Sequence, residues 1–439
     1  MPPRRPACAR RRGAATWLLL ATAIAANAQA ESLPEAWSIA LTKDAGLASV
    51  SLQTESARAS ERAANAARWP SLEVGASYTR MDQAPALSIA TPAFSFVSPP
   101  IFSGDDFHMR QAQLSVPLYA GGSLLAGERA ARESRLAAEA VQRSATADLK
   151  LEVARRYLDV LRTGRALVAA EASVGALEAH VQDVTAMVEV QSKAQTDLLA
   201  SRVAASAARQ ELARARLAAT SALGQYNRHL GEPLDRPVQL EAVALAVDAP
   251  ERDDLRSLQQ RAVGQRGELA ALEAQGDSLE AAARAEFGKQ LPTIALTATH
   301  QKIETTVLDR EEFAMISVGV RWALFDGGAS RQRAAALRRS SESTRARRAA
   351  FESQIRLEVH EARLAIDEAD ARVALTRDAI ADADENLRIT RELYREELAT
   401  NTQVLEAIAL QTAAAGHAAD AVADATLARL RLLRAIGEL

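Results

Sequence analysis

Two very long helices dominate the pattern of apolar and polar positions along the chain. No proline interrupts residues 123–190, and residues 329–396 contain neither proline nor glycine. At ~1.5 Å per residue, each segment would form a helix of ~100 Å, far longer than a compact domain holds. Both segments carry apolar residues at strict seven-residue spacing, which predicts left-handed supercoiling against neighbouring helices. These are Val153, Val160, Leu167, Val174, Val181, Val188, and Val359, Ile366, Val373, Ile380, Leu387, Tyr394.

Four short segments alternate apolar and polar residues with the period of two that predicts β-strands. Their length of about ten residues matches a transmembrane strand, and aromatic residues lie near their ends. Ordinary hairpins packed on helices would explain one apolar face equally well. The apolar positions are Leu72, Val74, Ala76 and Tyr78; Ala112, Leu114, Val116 and Leu118; Ile294, Leu296 and Ala298; and Ile316, Val318, Val320, Trp322 and Leu324.

Shorter helices complete the predicted order of elements. An Ala-rich opening helix over residues 34–68 stops before Pro70, and residues 254–290 form its counterpart. Return helices over residues 197–231 and 403–437 follow the long ones after polar turns. Asp197 and Thr402 are the predicted N-caps of these return helices.

The chain is an internal duplication. Leu-aromatic-x-Gly-Gly occurs at 118–122 and again at 324–328, an offset of 206 that continues without a gap for more than a hundred residues. Upstream the offset is 222, so the first copy has 16 extra residues in a loop over residues 83–106. We predict a first repeat over residues 31–231, a linker over 232–251 and a second repeat over 252–439.

The N-terminus has the form of an export signal. Five arginines up to Arg12 precede an apolar run over residues 14–26 and the small-residue site Ala28-Gln29-Ala30. We therefore predict a signal peptide over residues 1–30 and a mature chain that starts at Glu31. The only cysteine, Cys8, lies in this leader, which excludes disulfides and thiol chemistry from the mature chain. A formal net charge of −3 argues against a nucleic-acid binder.

No motif of catalysis or nucleotide binding is present. The six histidines fit no metal-binding spacing, and we expect each to be a surface or barrel residue. The pairs Gly121-Gly122 and Gly327-Gly328 lack the Lys and Ser/Thr of a phosphate loop, and we interpret them as flexible hinges where strand becomes helix. The sequence thus predicts no enzyme, no cofactor and no metal.

Four strands cannot seal themselves against lipid, because an open sheet edge leaves backbone amides without partners. Two chains would supply eight strands, which enclose little lumen, whereas three chains would supply twelve and leave room for a duct. Physical grounds therefore favour a homotrimer with a wet channel that the helices continue away from the membrane.

These features resemble the TolC-like outer-membrane efflux proteins over essentially the whole mature chain. The resemblance rests on the duplicated Leu-aromatic-x-Gly-Gly, the Pro-led first strands, and the segment 393–407. It implies a mainly α fold, in which two repeats of long antiparallel helical hairpins form a periplasmic α-barrel. Four strands per chain would contribute to a 12-stranded trimeric β-barrel in the outer membrane of a Gram-negative bacterium.

The resemblance also implies functional residues and partners. The helical hairpin tips would contact a periplasmic adaptor attached to an inner-membrane transporter. The acidic residues Asp197 and Glu406 would narrow the periplasmic aperture. Gln191 and Glu397 stand where the family usually has glycine, and Gln403 stands at a usually acidic position. The tip residues are Gln191, Ser192, Lys193, Ala194, Gln195, Thr196, Glu397, Leu398, Ala399, Thr400, Asn401 and Thr402.

Two other functions remain open from the sequence. A secreted or periplasmic coiled-coil structural protein would explain the heptads but would leave the strands without a role. An enzyme on an elongated scaffold would need an acid-base site assembled in space. Neither the cargo nor the class of the transporter is specified by these residues.

Overall fold

A computed structural model describes residues 30–102, 105–242, 249–250, 252–304 and 310–439. The predicted leader therefore lies outside the described residues, apart from Ala30. In chain order the elements are α1 (Leu33–Lys43), α2 (Ala45–Ala66), β1 (Ser71–Arg80), β2 (Ala86–Thr91), β3 (Phe94–Pro100), β4 (Asp106–Ala120), α3 (Ser123–Glu189), α4 (Gln195–His229), α5 (Leu255–Gln265), α6 (Gly267–Gly288), β5 (Thr293–Ile303), β6 (Glu312–Arg321), α7 (Ala329–Arg395) and α8 (Asn401–Ile436).

The two long helices are confirmed as α3 and α7, each of 67 residues. Every position of the two heptad seams is buried or half-buried. The return helices α4 and α8 pack antiparallel against them, which gives each repeat a long helical hairpin. Among the described residues, none of the helices is both long enough and apolar enough to cross a bilayer.

The four predicted strands form one antiparallel sheet in the order β1-β4-β5-β6. The central pair, β4 and β5, joins the two repeats, with Leu114 opposite Ala298. β6 ends at Arg321, so the expected extension of this strand to Trp322 and Leu324 is wrong. The order leaves β1 and β6 as the two edges of the sheet.

A second, two-stranded sheet was not predicted. β2 and β3 pair antiparallel inside the loop that the first repeat has gained, with Ile89 opposite Phe96. The backbone of Met81 donates to Asp105, and that of Ile101 donates to Pro85, so this hairpin continues the β1–β4 ladder. The chain therefore has six strands among its described residues, four of them in the main sheet.

Each predicted opening helix is in fact two helices, which is a correction to the sequence analysis. The breaks fall at Asp44 (φ −67°, ψ 119°) and Arg266 (φ −63°, ψ 120°), whose backbones are extended. Asp44 accepts a hydrogen bond from the backbone of Leu47 and so caps α2. At the second break, a Cβ on Gly267 would lie only 2.7 Å from the backbone oxygen of Ala140 in α3. Close helix packing therefore selects glycine there.

The N-caps of the return helices also differ from prediction. α4 begins at Gln195 with Ala194 as its N-cap, and α8 begins at Asn401 with Thr400 as its N-cap. Asp197 lies inside the first turn of α4, and Thr402 lies inside the first turn of α8. The turns at the left-handed residues Gln191 and Glu397 are short, so each return helix begins two residues earlier than expected.

The buried apolar residues form three clusters along the helices. One packs α1 onto α3 and α4, a second packs α5 onto α7 and α8, and a third lies between the hairpins near their tips. The first two occupy equivalent places in the two repeats. The tip cluster contains residues of all four long helices, so it holds the two hairpins together.

Candidate channel aperture and docking tips

Both hairpin tips have the same backbone. The residue two positions after each long helix is left-handed, with φ of 61° at Gln191 and 63° at Glu397. The next amide donates back to the last turn, from Ser192 to the oxygen of Met187 (2.9 Å) and from Leu398 to that of Leu393 (2.8 Å). A left-handed conformation costs roughly 1–2 kcal/mol for a residue with a side chain. The duplicated turn therefore keeps its shape without the family's glycine.

The two return helices are capped differently. Thr400 and Gln403 form a capping box, in which the Thr400 amide donates to Gln403 Oε1 (2.8 Å) and the Gln403 amide donates to Thr400 Oγ1 (3.3 Å). Ala194 and Asp197 occupy the equivalent positions of the first tip, and Ala194 offers no side-chain cap. Gln403, which stands where the family usually has an acidic residue, therefore has a structural role as the partner of Thr400.

A buried amide connects the two hairpins. Asn401 Oδ1 accepts from His180 Nε2 (2.7 Å) and from Ser201 Oγ (3.0 Å). Its Nδ2 donates to the backbone oxygen of Asp197 (3.1 Å). His180 and Ser201 lie in the first repeat, whereas Asn401 begins α8 in the second. This network therefore fixes the position of one tip against the other.

His180 corrects the expectation that the histidines lie at the surface or in a barrel. It is buried, and burial lowers the pKa of its ring, against the opposing hydrogen bond to Asn401 and the charge of Asp183. The ring is therefore neutral near pH 7. Its spacing from Leu177 and Val184, which belong to the buried tip cluster, was the signal in the sequence.

Polar contacts also join the outer ends of the tips. Ser192 Oγ donates to Glu397 Oε1 across the two turns (2.6 Å). The ammonium of Lys193 lies 4.7 Å from the ring centroid of Tyr394, a cation–π contact. Arg395 lies 3.8 Å from Asp183, at the limit of an ion pair. The two turns thus form one continuous surface.

The predicted aperture residues lie on different helices. Asp197 is half-buried in the first turn of α4, and its backbone oxygen receives the bonds of Ser201 and Asn401. Glu406 is exposed in the second turn of α8, and no ion pair engages its carboxylate within the described part of the chain. The structure does not join the two carboxylates, which belong to non-equivalent positions of the two repeats.

Most of the predicted tip surface is accessible. Lys193 is half-buried, while Ala399 and Asn401 are buried, because they pack into the tip cluster and the amide network. The exposed tip residues are Gln191, Ser192, Ala194, Gln195, Thr196, Glu397, Leu398, Thr400 and Thr402.

The glycine pairs lie at the opposite end of the hairpins, between strand and helix. All four residues are left-handed, with φ of 59° at Gly121, 76° at Gly122, 68° at Gly327 and 81° at Gly328. A Cβ on Gly121 would lie 2.2 Å from the backbone oxygen of Gly288, so the first junction is also closely packed. Both pairs start a long helix, as predicted, and their flexibility stays a prediction.

The described residues contain no cluster of three or more side chains that could hold a metal ion. Strands lie at one end of the helical hairpins, which are about 100 Å long, and the polar tips lie at the other end. The sequence matches the family of outer membrane efflux proteins over residues 36–232 and 258–438. The chain therefore belongs to the outer membrane efflux protein family.

Solved structures share the fold over nearly the whole chain. The outer membrane protein VceC from Vibrio cholerae is 16% identical, with a TM-score of 0.77 over 92% of this chain and 96% of that one. The CmeC outer membrane channel of Campylobacter jejuni is 13% identical, with a TM-score of 0.78 over 92% and 85%. A membrane protein from Pseudomonas aeruginosa is 19% identical, with a TM-score of 0.75 over 92% and 93%. A search of curated protein sequences found no match.

These comparisons confirm the predicted family, fold class and location. The protein is an outer-membrane efflux protein whose helices extend into the periplasm. The sheet β1-β4-β5-β6 is its membrane end, and the tips near Gln191 and Glu397 are its periplasmic end.

Proposed function

We propose that three copies of this chain form an export duct through the outer membrane. The observation that carries this proposal is the open sheet. Strands β1 and β6 have no neighbour on their outer sides within the described residues, although both lie in the membrane. Backbone amides left unpaired in hydrocarbon cost several kcal/mol each. A ring of identical chains satisfies them by pairing β6 of one copy with β1 of the next.

The internal repeat supplies the register of that pairing. Within one chain, β4 of the first repeat pairs with β5 of the second, and Leu114 lies opposite Ala298. The offset of 206 makes Val320 of β6 the equivalent of Leu114, and the offset of 222 makes Ala76 of β1 the equivalent of Ala298. Equivalent packing around the ring therefore places Val320 opposite Ala76 of the partner subunit. Both residues lie on the apolar face of their strands.

Cysteine cross-linking tests the assembly. Because Cys8 lies in the predicted leader, a chain with Val320→Cys and Ala76→Cys carries only these two thiols after export. Oxidation should give covalent dimers and trimers on denaturing gels. The control pair Val320→Cys and Leu72→Cys is displaced by four residues, about 13 Å along the strand, and should stay monomeric. Failure of the first pair to cross-link in membranes would contradict the proposed ring.

The same proposal covers energy supply and partners. The duct is passive, and an inner-membrane transporter drives export through a periplasmic adaptor that contacts the tips. The accessible turns around Gln191 and Glu397 offer the surface for this contact. Family membership and the absence of a nucleotide-binding motif in the sequence support a conduit without its own energy source.

Within this duct, Asp197 and Glu406 are proposed to narrow the periplasmic aperture. Removing their charges in the double variant Asp197→Ala and Glu406→Ala should raise the single-channel current in planar bilayers. Asp378→Ala is the matched control, since Asp378 is exposed in the last third of α7, before the tip, and has no ion pair among the described residues. Equal currents for the double variant and the native chain would remove the aperture assignment. Trimers without any current would remove the channel itself.

A further inference from the structure

Three arginines at one heptad position of the two repeats lie just below the membrane end of the sheet and have no acidic partner among the described residues. Arg331 and Arg338 are exposed near the start of α7, and Arg132 is exposed near the start of α3. None of the three forms an ion pair within the described part of the chain, where most other arginines of these helix starts do. Arg132 and Arg338 are equivalent residues of the two repeats. We refer to these three residues as the arginine collar.

The depth of the collar follows from the glycine junctions. Gly122 and Gly328 directly precede α3 and α7, so Arg331 lies about 5 Å, and Arg132 and Arg338 about 15 Å, along the helices from these glycine junctions. Headgroups occupy about 5–8 Å outside each face of the hydrocarbon. Helix side chains lean toward the N-terminus, here the membrane end, and a long arginine stem extends this reach. All three guanidinium groups can therefore meet the headgroup layer.

Apolar residues mark the level of the interface directly above the collar. Leu324 and Phe325, between β6 and Gly327, are 77% and 88% exposed. Leu118 and Tyr119 occupy the equivalent place in the first repeat and are also exposed. Apolar and aromatic side chains followed by arginines along the chain match the order of hydrocarbon and phosphate in a leaflet.

The collar lies on one side of the helices. Arg132 precedes Val153 by a multiple of seven residues, and Arg331 and Arg338 precede Val359 in the same way, so each arginine lies on the side of its helix that carries the valine. Val153 belongs to the cluster that packs α1 onto α3, and Val359 to the cluster that packs α5 onto α7. The collar thus shares the side that carries the extra helix layer. Six such layers would fill the lumen of a ring, so this side is the outer one, which faces lipid at the membrane.

Glu133 follows Arg132 directly but lies about 100° further around the helix, and the other neighbouring carboxylates are engaged by other groups. Glu139, one heptad after Arg132, is paired with Arg58 and Arg135. Glu342 is paired with Arg339. Asp326 accepts the backbone amides of Gly328 and Ser330 at 2.9 and 2.8 Å. The positive charge of the collar is therefore available to an external anion.

We propose that the arginine collar binds the phosphate groups of anionic phospholipids in the periplasmic leaflet of the outer membrane. Guanidinium groups bind phosphate oxygens through paired hydrogen bonds, and a juxtamembrane arginine near an anionic surface strengthens binding about fivefold. The collar holds the protein at a fixed depth. This inference rests on the outer-membrane location and on the proposed ring of chains, and not on the adaptor or the transporter.

Native mass spectrometry of the full-length protein in neutral detergent tests the site. Phosphatidylglycerol should bind more tightly than phosphatidylcholine, and the double variant Arg331→Gln and Arg338→Gln should weaken phosphatidylglycerol binding roughly 25-fold. The matched control is Arg202→Gln with Arg377→Gln. Both are exposed, have no ion pair among the described residues, and lie far from the membrane end. The control should retain the native preference.

Further arms of this experiment separate the sources of phosphate and the effects on folding. Sodium phosphate at matched ionic strength should not displace the lipid. Displacement would show that the collar binds anions in general and would contradict a lipid site. Single-channel currents of the same variants should equal the native current, which shows that the duct is intact. An unchanged lipid preference in the Arg331→Gln, Arg338→Gln variant, or equal binding of both lipids to the native chain, would overturn the proposal.

Discussion

The helix breaks of the two repeats have the same backbone and different chemistry. Asp44 breaks the first opening helix and caps the next helix through a local bond to Leu47. Arg266 stands at the equivalent break of the second repeat, is buried, and makes a forked contact with Glu268 (3.0 Å to each oxygen). Gly46 is the first-repeat counterpart of Glu268. One repeat thus uses a cap and the other a buried ion cluster.

The ion cluster connects elements that the cap cannot reach. Arg434 of α8 donates to Glu268 of α6 at 2.5 Å, to Asp148 of α3 at 2.7 Å and to Ser144 at 3.3 Å. Arg266 also donates to Glu358 of α7 at 3.0 Å. Four helices from both repeats therefore meet at one ion cluster, whose two arginines are buried. The two repeats therefore share the backbone break, but only the break of the second repeat takes part in contacts between the repeats.

The largest effect is expected from Arg434→Met. Arg434→Met removes one of the two guanidinium partners of Glu268 and leaves only Arg266, which should cost about 1.5–3 kcal/mol in the free energy of unfolding. Guanidinium unfolding followed by circular dichroism measures the change. The repeat-equivalent Arg228 is exposed, so Arg228→Met should change the free energy by about 0.5 kcal/mol or less. Similar losses for both variants would show that the cluster has no special role.

The pH dependence of stability isolates the same cluster. Burial by itself would raise the pKa of Glu268, but hydrogen bonds from Arg434 and Arg266 outweigh burial and lower the pKa to about 2. A folded-state pKa below the unfolded value of about 4.3 gives stability that is fully present above that value. This stability is lost as the pH falls toward about 2.

The variant Glu268→Gln should therefore lose less stability than the native chain between about pH 5 and about pH 2.5. Thermal unfolding at a series of pH values is the measurement. Glu406→Gln serves as the control, since Glu406 is exposed and has no ion pair among the described residues. If the native chain and Glu268→Gln lost the same stability on acidification, the Glu268 carboxylate would make no pH-dependent contribution.

The regular elements could be predicted from the sequence because they repeat local patterns. The heptad seam and the period of two located α3, α7 and the four main strands to within a few residues. The hairpin β2–β3 also had a local signal, since Leu87 and Ile89 alternate with Ser88 and Ala90 before the turn at Pro92.

Contacts between distant residues could not be predicted in this way. The break at Arg266 depends on the approach of Gly267 to Ala140, more than a hundred residues away in the chain. Likewise, His180 and Asn401 are 221 residues apart and meet only when both hairpins have formed. Neither local propensity nor periodicity contains this information, whereas the tips themselves were located by their polar turns.

The caps of the two tips offer a smaller comparison. Thr400→Ala converts the second tip to the Ala194 chemistry of the first and removes a side-chain cap, which should cost about 1 kcal/mol. Unfolding by denaturant measures this loss. Thr402→Ala, two residues further along the exposed start of α8, should have little effect. If Thr400→Ala proved as mild as Thr402→Ala, the capping box would not stabilise the tip.

The smallest effect concerns the left-handed turn itself. Gln191→Gly relieves the roughly 1–2 kcal/mol cost of a positive φ but increases the freedom of the unfolded chain, so a net gain of about 0.5 kcal/mol is expected. Gln195→Gly, the same exchange at the first helical residue of α4, should instead lower stability by about 0.5–1 kcal/mol. Glu397→Gly is less informative, because it also removes the acceptor of the Ser192 hydroxyl. Thermal unfolding measures both changes. A gain in stability for Gln191→Gly together with a loss for Gln195→Gly would establish that Gln191 is strained, whereas a loss of stability in both variants would contradict strain at position 191.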